Sequence, residues 1–315
     1  MPTQLIAAKL FHQMEIDMTS KNLKKIAEQT IAAIDAEKYK TPSGLSVSLE
    51  KLISSSVRKS KLYRPSETED IIKALDVTRK LSANPEIVVT RESSLEAAAR
   101  LAKNHPCLLN FASAKHPGGG FLQGASAQEE SIARSSALYP TLIRHPEYYE
   151  ENKRSQKDNI GLYRDYAIYS PDVPVFRNDA GDWLDEPYLT SVLTSPAPNR
   201  HAIFNDEDNK MNDSQEEAME MKIEETFNRR MNQVLSIMAL HGHRTIILGA
   251  WGCGIFGNDP LMVAELFRDN LKKLPFFDTI AFPIYDRSDS DTLRSFVQIF
   301  GPEFDPKAGT SAQCN

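Results

Sequence analysis

The spacing of apolar residues changes character along this chain. Between residues 5 and 37, Leu5, Ile6, Leu10, Leu23, Ile26, Ile31 and Ile34 recur at helical intervals, which predicts helix. A serine-rich, basic stretch follows, Ser54-Ser55-Ser56-Val57-Arg58-Lys59-Ser60-Lys61, and reads as a loop or linker. From about residue 86 short apolar runs alternate with helical patterns. Strands are expected at 86–89, 107–111, 166–169, 191–194, 245–248 and 280–284, those at 166–169 and 191–194 each ended by a Pro-containing turn. Helices are expected between them. Ser93 or Ser94 caps one with Glu96 near its start and 97–103 as its body, and others fall at 125–138, 216–240, 259–273 and 289–300. His241-Gly242 stops the 216–240 helix. The alternation predicts an α/β protein, a three-layer α/β/α domain with a mixed, largely parallel sheet. Residues 1–85 are assigned to an N-terminal helical extension packed on the core, 86–300 to the core domain and 301–315 to a flexible tail.

Composition narrows the class. At 315 residues and 41% hydrophobic content the chain can bury a sizeable core without staples. A net charge of −6 argues against general or sequence-specific nucleic-acid binding, while leaving room for one locally positive pocket. Cys107, Cys253 and Cys314 form neither a disulfide framework nor a CxxC metal site, which suits a reducing, intracellular compartment, cytoplasmic or nuclear. The first 18 residues lack the layout of a secretory signal, and the longest nearly apolar run, 245–256, is too short to span a bilayer. No membrane association is expected, and a monomer is.

Two strands each run into a glycine-rich loop that opens a helix. The first loop reads Asn110-Phe111-Ala112-Ser113-Ala114-Lys115-His116-Pro117-Gly118-Gly119-Gly120; the second reads Gly249-Ala250-Trp251-Gly252-Cys253-Gly254-Ile255-Phe256-Gly257-Asn258. Such glycines let backbone approach a ligand and let N–H groups cradle a phosphate. Neither matches the dinucleotide or Walker A pattern, and either alone serves as a tight turn. Seven residues after Gly120 comes Gln128-Glu129-Glu130. Adjacent helical residues do not share a face, so the two carboxylates should diverge and are not the facing pair of an ordinary glycosidase. One can enter a cleft to move protons while its neighbour holds a hydroxyl. Acidic residues also favour a helix start for dipole reasons alone, and Gln215-Glu216-Glu217, with no glycine loop ahead of it, reads that way. His116 reads as a solvated loop histidine, and His241 and His243 as dipole or surface residues. Trp251 and Cys253 read as packing, Asp206-Glu207-Asp208 as a solvated loop and Tyr148-Tyr149 as part of a surface helix.

Taken together, Gly118-Gly119-Gly120, the seven-residue gap and Gln128-Glu129-Glu130 resemble the signature of microbial-type poly(ADP-ribose) glycohydrolases, compact members of the macrodomain superfamily. The likeness continues in 110–114, in 131–139, in Ile168 to Arg177, in Ser195-Pro196-Ala197-Pro198-Asn199 and in 249–260, and covers roughly residues 20–290. It implies a macrodomain-like fold and hydrolysis of the inter-ribose O-glycosidic bond, exo-acting, with ADP-ribose as product. Carried onto this chain, it makes Glu130 the general acid and base and Glu129 the residue that holds the ribose hydroxyls. Asn110, Gly118, Gly119, Gly120 and Gln128 fall near the terminal ribose. Gly252, Gly254, Ile255, Phe256 and Gly257 form the diphosphate loop, with Phe256 against the ribose.

A raised carboxyl pKa, from burial and a neighbouring charge, would suit a general acid near neutral pH. Backbone N–H groups can hold a diphosphate without lysines, and no cofactor or metal is expected. The partners are poly(ADP-ribose) or an ADP-ribosylated protein. The alternatives are removal of mono-ADP-ribose from a protein side chain on the same fold, a non-catalytic ADP-ribose-binding module, and a nucleotide-phosphate enzyme that would depend on metal.

Overall fold

The computed structural model describes residues 2–76, 84–155, 161–206, 210–285 and 290–301, with side chains from Thr19 onward. The chain begins with a long helix, α1 (Pro2–Asp35), and a small antiparallel ribbon, β1 (Lys38–Lys40) with β2 (Ser46–Ser48). It continues through α2 (Glu50–Lys59), β3 (Lys61–Tyr63), α3 (Thr68–Asp76), β4 (Glu86–Thr90), α4 (Ser94–Arg100) and β5 (Cys107–Phe111). Three short helices follow, α5 (Gln128–Ser135), α6 (Leu138–Ile143) and α7 (Pro146–Arg154), then the long strands β6 (Ala167–Arg177) and β7 (Trp183–Ser195). The last part holds α8 (Arg200–Phe204), α9 (Asp213–Leu240), β8 (Thr245–Ile247), α10 (Pro260–Lys273), β9 (Thr279–Pro283) and α11 (Asp291–Phe300).

Seven strands form one mixed sheet in the order β3-β6-β7-β5-β8-β9-β4. The five from β7 to β4 are parallel, and β3 and β6 add antiparallel to the β7 side. The strands are apolar on both faces because helices cover both. On one face Cys107, Leu109, Leu193, Ile246, Ile280 and Phe282 meet α3, α9, α10 and α11 through residues such as Phe227, Met231, Phe267 and Phe296. The residues between them, Leu108, Val192, Ile247 and Ala281, point the other way against α4, α5, α6 and α7. This period-two alternation along neighbouring strands is the three-layer α/β/α arrangement the sequence predicts.

Several expectations change. The serine-rich stretch 54–61 is α2 and the start of β3 rather than a loop. Leu49, Ile53 and Ser56 are buried against β6, small serines allow that close approach, and Arg58 and Lys59 meet the helix C-terminus. The strand at 166–169 does not turn at proline but runs to Arg177 through Pro171 and Pro174. Past Tyr169 it has no β3 partner, and a bulge between Ser170 and Val173, with Asp172 at φ +48°, absorbs the prolines. Its neighbour likewise starts at Trp183 rather than residue 191. The helix expected at 125–138 begins only at Gln128 and breaks at Ser136, which turns extended to bridge Val175.

Tyr148 and Tyr149 belong to no surface face: both are buried, their rings 4.6 Å apart, in the cluster beneath α5 and α6. Ser93 caps α4 reciprocally with Glu96, and Asn212 with Gln215 begins α9, leaving Glu216 and Glu217 exposed as expected. β3 lies within the stretch assigned to the extension, so the sheet reaches back in the chain beyond residue 86. Glu207 and Asp208 lie outside the described residues, as does the assigned tail from residue 302 on. No helix among the described residues is long and apolar enough to cross a membrane.

Candidate active site

β5 and β8 are parallel neighbours, so the loops that leave their carboxyl ends emerge side by side. Gly249 (φ +109°) lies so close to Phe111 that a Cβ there would meet its ring at 3.0 Å. Between the loops lies a cleft of about 1250 Å³, lined on one side by Ser113 to Pro117, Gly119, Gly120 and the start of α5 and on the other by Gly252 to Phe256, while Gly118 is buried against Phe121 and Ala133. Tyr163, Asn199, Pro283, Tyr285 and Thr292 complete that side, while Leu23 of α1, Leu122 and Gln123 extend the wall beyond Glu130.

The three residues Gln128, Glu129 and Glu130 are put to different uses. Gln128 staples the loop to the strand: its Oε1 accepts from the Phe111 N–H at 2.8 Å, and its Nε2 donates to Leu109 O at 2.8 Å and to Ser94 Oγ at 3.1 Å. Both amide protons are thus spent on protein, so the geometry gives Gln128 the positioning of β5 rather than a free hand for substrate. Glu129 turns inward and is 3% exposed. Its Oε2 accepts from the Ser113 N–H at 2.6 Å and its Oε1 from Asn110 Nδ2 at 3.2 Å. Burial outweighs these donors and, with the Glu130 charge, pushes its pKa up to about 8. Glu130 is half-buried at the cleft wall, where its Oε1 accepts from the Gly120 N–H at 2.9 Å.

The two side chains diverge at their roots, as the helix requires, yet both carboxyls flank Gly119. A Cβ on Gly119, itself at φ +60°, would lie 2.1 Å from Glu130 Oε1 and 3.2 Å from Glu129 Oε2. A larger residue there would strain the left-handed backbone and push the Glu130 carboxyl from its place. Asn110 is fully buried, also donates to Thr194 Oγ1 at 3.2 Å, and leaves its Oδ1 without a protein partner.

In the second loop the glycines divide by cause. Gly252 (φ +77°) is required by packing, since a Cβ would meet that of Ala197 at 2.6 Å. Gly254 has neither a left-handed backbone nor a neighbour within 4 Å of a Cβ, so nothing in the protein demands a glycine there. A residue kept small on a cleft wall for no internal reason suits close approach by a ligand. Ile255 stands 76% exposed at the rim, and Phe256 tilts toward Tyr163 with ring centroids 6.4 Å apart. Gly257 (φ +68°) closes the turn by donating to Gly254 O at 2.9 Å.

Further side chains support the two sides of the cleft from behind. Asn258 donates to both Pro198 O and Gly252 O at 2.8 Å, tying the second loop to the 196–199 segment. Arg230, fully buried on α9, donates to Pro196 O at 2.6 Å, Leu162 O at 3.0 Å and Asp165 Oδ1 at 2.9 Å. The two arginines beside Asp165, Arg230 and Arg229, outweigh its burial and hold its carboxyl below the usual range. Only the downstream Asn258 lay inside a motif; Arg230 and Asp165 are scattered charges until the fold joins them. Of the residues set aside, His116 is exposed and Trp251 is buried edge-on against Phe227. His241 is exposed at the C-terminus of α9, as expected, and there its Nε2 bonds Tyr63 Oη at 2.7 Å and its ring stacks on Tyr169. Among the described residues no group of three or more His, Cys, Asp or Glu is placed to hold a metal ion.

The model of the microbial-type PARG catalytic domain matches residues 27–178, which contain Asn110, the three glycines of the first loop and the two glutamates. No curated protein matches the chain. Among solved structures, poly(ADP-ribose) glycohydrolase from Thermomonospora curvata is 40% identical with a TM-score of 0.79, the match covering 89% of this chain and 100% of that one. The same enzyme bound to the inhibitor ADP-HPD is 40% identical with a TM-score of 0.75, over 88% and 99%. The glycohydrolase from Deinococcus radiodurans in complex with ADP-ribose is 35% identical with a TM-score of 0.69, over 79% and 96%. With such identity sustained over the whole of a solved relative, the chain belongs to the microbial-type poly(ADP-ribose) glycohydrolase family.

Proposed function

We propose that the protein is an exo-acting poly(ADP-ribose) glycohydrolase in which Glu130 is the acid and base. The observation that carries this reading is the placement of the Glu130 carboxyl on the wall of a cleft between two glycine loops, seated on the Gly120 N–H with Gly119 bare beside it. The terminal ADP-ribose lies with its diphosphate along Gly252–Gly257 and its ribose between Phe256 and the first loop. Glu130 donates its proton to the leaving 2′-oxygen as the C1″–O bond breaks and C1″ gains oxocarbenium character. The carboxylate so formed takes a proton from the water that attacks C1″, which restores the acid; the sum is one water added and one bond broken.

Glu129, held largely neutral near pH 7 by burial, adds no full negative charge beside Glu130 and keeps an O–H to place on a ribose hydroxyl or on Asn110 Oδ1. Asn110 sets the depth of that carboxyl. A diphosphate held by backbone N–H groups fits an acidic protein. The substrate is poly(ADP-ribose) and the product is ADP-ribose, the ligand held by the Deinococcus relative.

The test is release of free ADP-ribose from automodified polymer in EDTA, wild type against Glu130→Gln. The expected result is metal-independent release by wild type and a loss of about 10²–10⁴-fold in the variant, with ADP-ribose binding retained. Equal turnover by the two proteins would remove Glu130 from the chemistry. Tight ADP-ribose binding without turnover by wild type would replace the enzyme with a binding module.

A further inference from the structure

Glu130 and Arg134 stand four residues apart on α5, hence on one face of the helix, and both line the cleft. Arg134 is nonetheless a buried residue. Burial lowers the pKa of its guanidinium and the Glu130 charge offsets part of that, yet the two side chains do not pair. Arg134 Nη1 donates to Ala125 O and Nη2 to Ser131 Oγ at 3.3 Å. Thr30 of α1 holds the same residue from behind, its Oγ1 donating to Arg134 O at 2.6 Å.

Ala125 passes this hold on. Its N–H donates to Gly120 O at 3.1 Å, beside a 3.0 Å bond from the Gln123 N–H, and the Gly120 N–H donates to Glu130 Oε1 at 2.9 Å. The bonds close a ring that leaves α5 at Arg134 and returns to it at Glu130. Packing inside the ring is tight, since a Cβ on Gly120 would meet that of Ala125 at 2.9 Å. Between Gly120 and α5 the chain has no strand and only the short turn Phe121–Gln123. The place of the Gly120 N–H relative to Glu130 therefore depends on bonds such as these. A direct Glu130–Arg134 pair would instead occupy a carboxylate oxygen and favour the ionised form, which has no proton to donate.

We propose that Arg134 is a positioning residue for Glu130: by holding Ala125 O it fixes the Gly120 N–H on which the Glu130 carboxyl is seated, while its own donors are kept off that carboxyl. The inference rests on the glycohydrolase reading, in which Glu130 must be aimed at the leaving 2′-oxygen. Affinity for ADP-ribose lies with the second loop and does not pass through Arg134.

The experiment compares full-length wild type, Arg134→Gln and Arg134→Lys, each checked for one cooperative unfolding transition. It reads kcat and KM for ADP-ribose release from polymer, ADP-ribose affinity, and hydrogen exchange at the Gly120 amide. The expected result for Arg134→Gln is kcat lowered about 10–10²-fold, with KM and ADP-ribose affinity held and faster exchange at Gly120. Arg134→Lys keeps the charge without the planar fork and should retain most of the loss; it carries the same test should Arg134→Gln not fold. Wild-type kcat in a folded Arg134→Gln overturns the proposal. Full activity in Arg134→Lys overturns it too, because charge alone would then suffice. A loss of ADP-ribose affinity matching that of kcat does the same, as the whole pocket would then be disturbed. Wild type that releases no ADP-ribose overturns the glycohydrolase reading instead. Faster Gly120 exchange in Arg134→Gln would then still support Arg134 as the holder of that seat, and unchanged exchange would overturn it.

Discussion

At the residue scale, Glu129 ties the site to stability. Its folded pKa of about 8 lies above the ordinary 4.5, so between those two values the folded chain holds a proton that the unfolded chain has released. Folding stability therefore falls as pH rises through this window, by up to about 1.4 kcal/mol per pH unit from this group. Glu129→Gln, neutral throughout, removes that slope, and the Asn110 amide can turn its unpartnered Oδ1 toward the new NH2. Urea unfolding at pH 5 and pH 8 should show wild type losing stability relative to the variant as pH rises; parallel losses would place a charged, well-solvated carboxylate at Glu129. The two glycines of the second loop give a contrast on one assay. Gly252→Ala, which forces Ala197 and a left-handed backbone, should lower the melting temperature, whereas Gly254→Ala should leave it unchanged and weaken ADP-ribose binding. An unchanged Kd for Gly254→Ala would remove that residue from the ligand's path.

At the element scale, α9 lies beneath the second loop, with Phe227 against Trp251. Through Arg230 it holds the carbonyls of Leu162 and Pro196, hence the segments that carry Tyr163 and Asn199 into the cleft. Arg230→Met leaves two buried carbonyls unpaired and Asp165 with Arg229 alone. We expect a loss of about 3–5 kcal/mol in chemical denaturation, together with weaker ADP-ribose binding as the segments loosen. Full stability with a weakened ligand would show that the arginine serves the site alone. The short α5 follows the same logic. Its first turn is spent on the first loop, through Gln128, Glu129 and Glu130, and Ser136 ends it to bridge β6.

At the scale of the whole molecule, α1 is continuous with the site. Ala27 packs with Phe121 and Ala133, and Thr30 bonds the backbone of α5 four residues after Glu130. Thr30→Val leaves the buried Arg134 carbonyl without that donor and should cost about 1–2 kcal/mol within a single thermal transition. A separate, earlier transition would mark α1 and its neighbours as an independent unit. The sheet argues for one unit, because β3 and β4 close its two edges from either side of the stretch between them.

What the sequence by itself determined is whatever depends on neighbours in the chain. The runs at 107–111, 245–247 and 279–283 are strands wherever they fold, because they are apolar on both sides. The capping pairs Ser93–Glu96 and Asn212–Gln215 fix helix starts within four residues. Gly118-Gly119-Gly120 and the two glutamates were legible together, through their resemblance at that spacing to the microbial-type glycohydrolase signature. Only the tertiary structure decided the rest. Serines 54–56 became helical because β6 offered them an apolar face, and β6 ran through two prolines because β3 does not pair there and a bulge takes up Pro171. Tyr148 and Tyr149 were buried by α5 and α6, and Arg230 found its acceptors more than thirty residues away in sequence. Burial and polar pairing are settled between faces that meet only in space, and no local period in the chain records which faces those are.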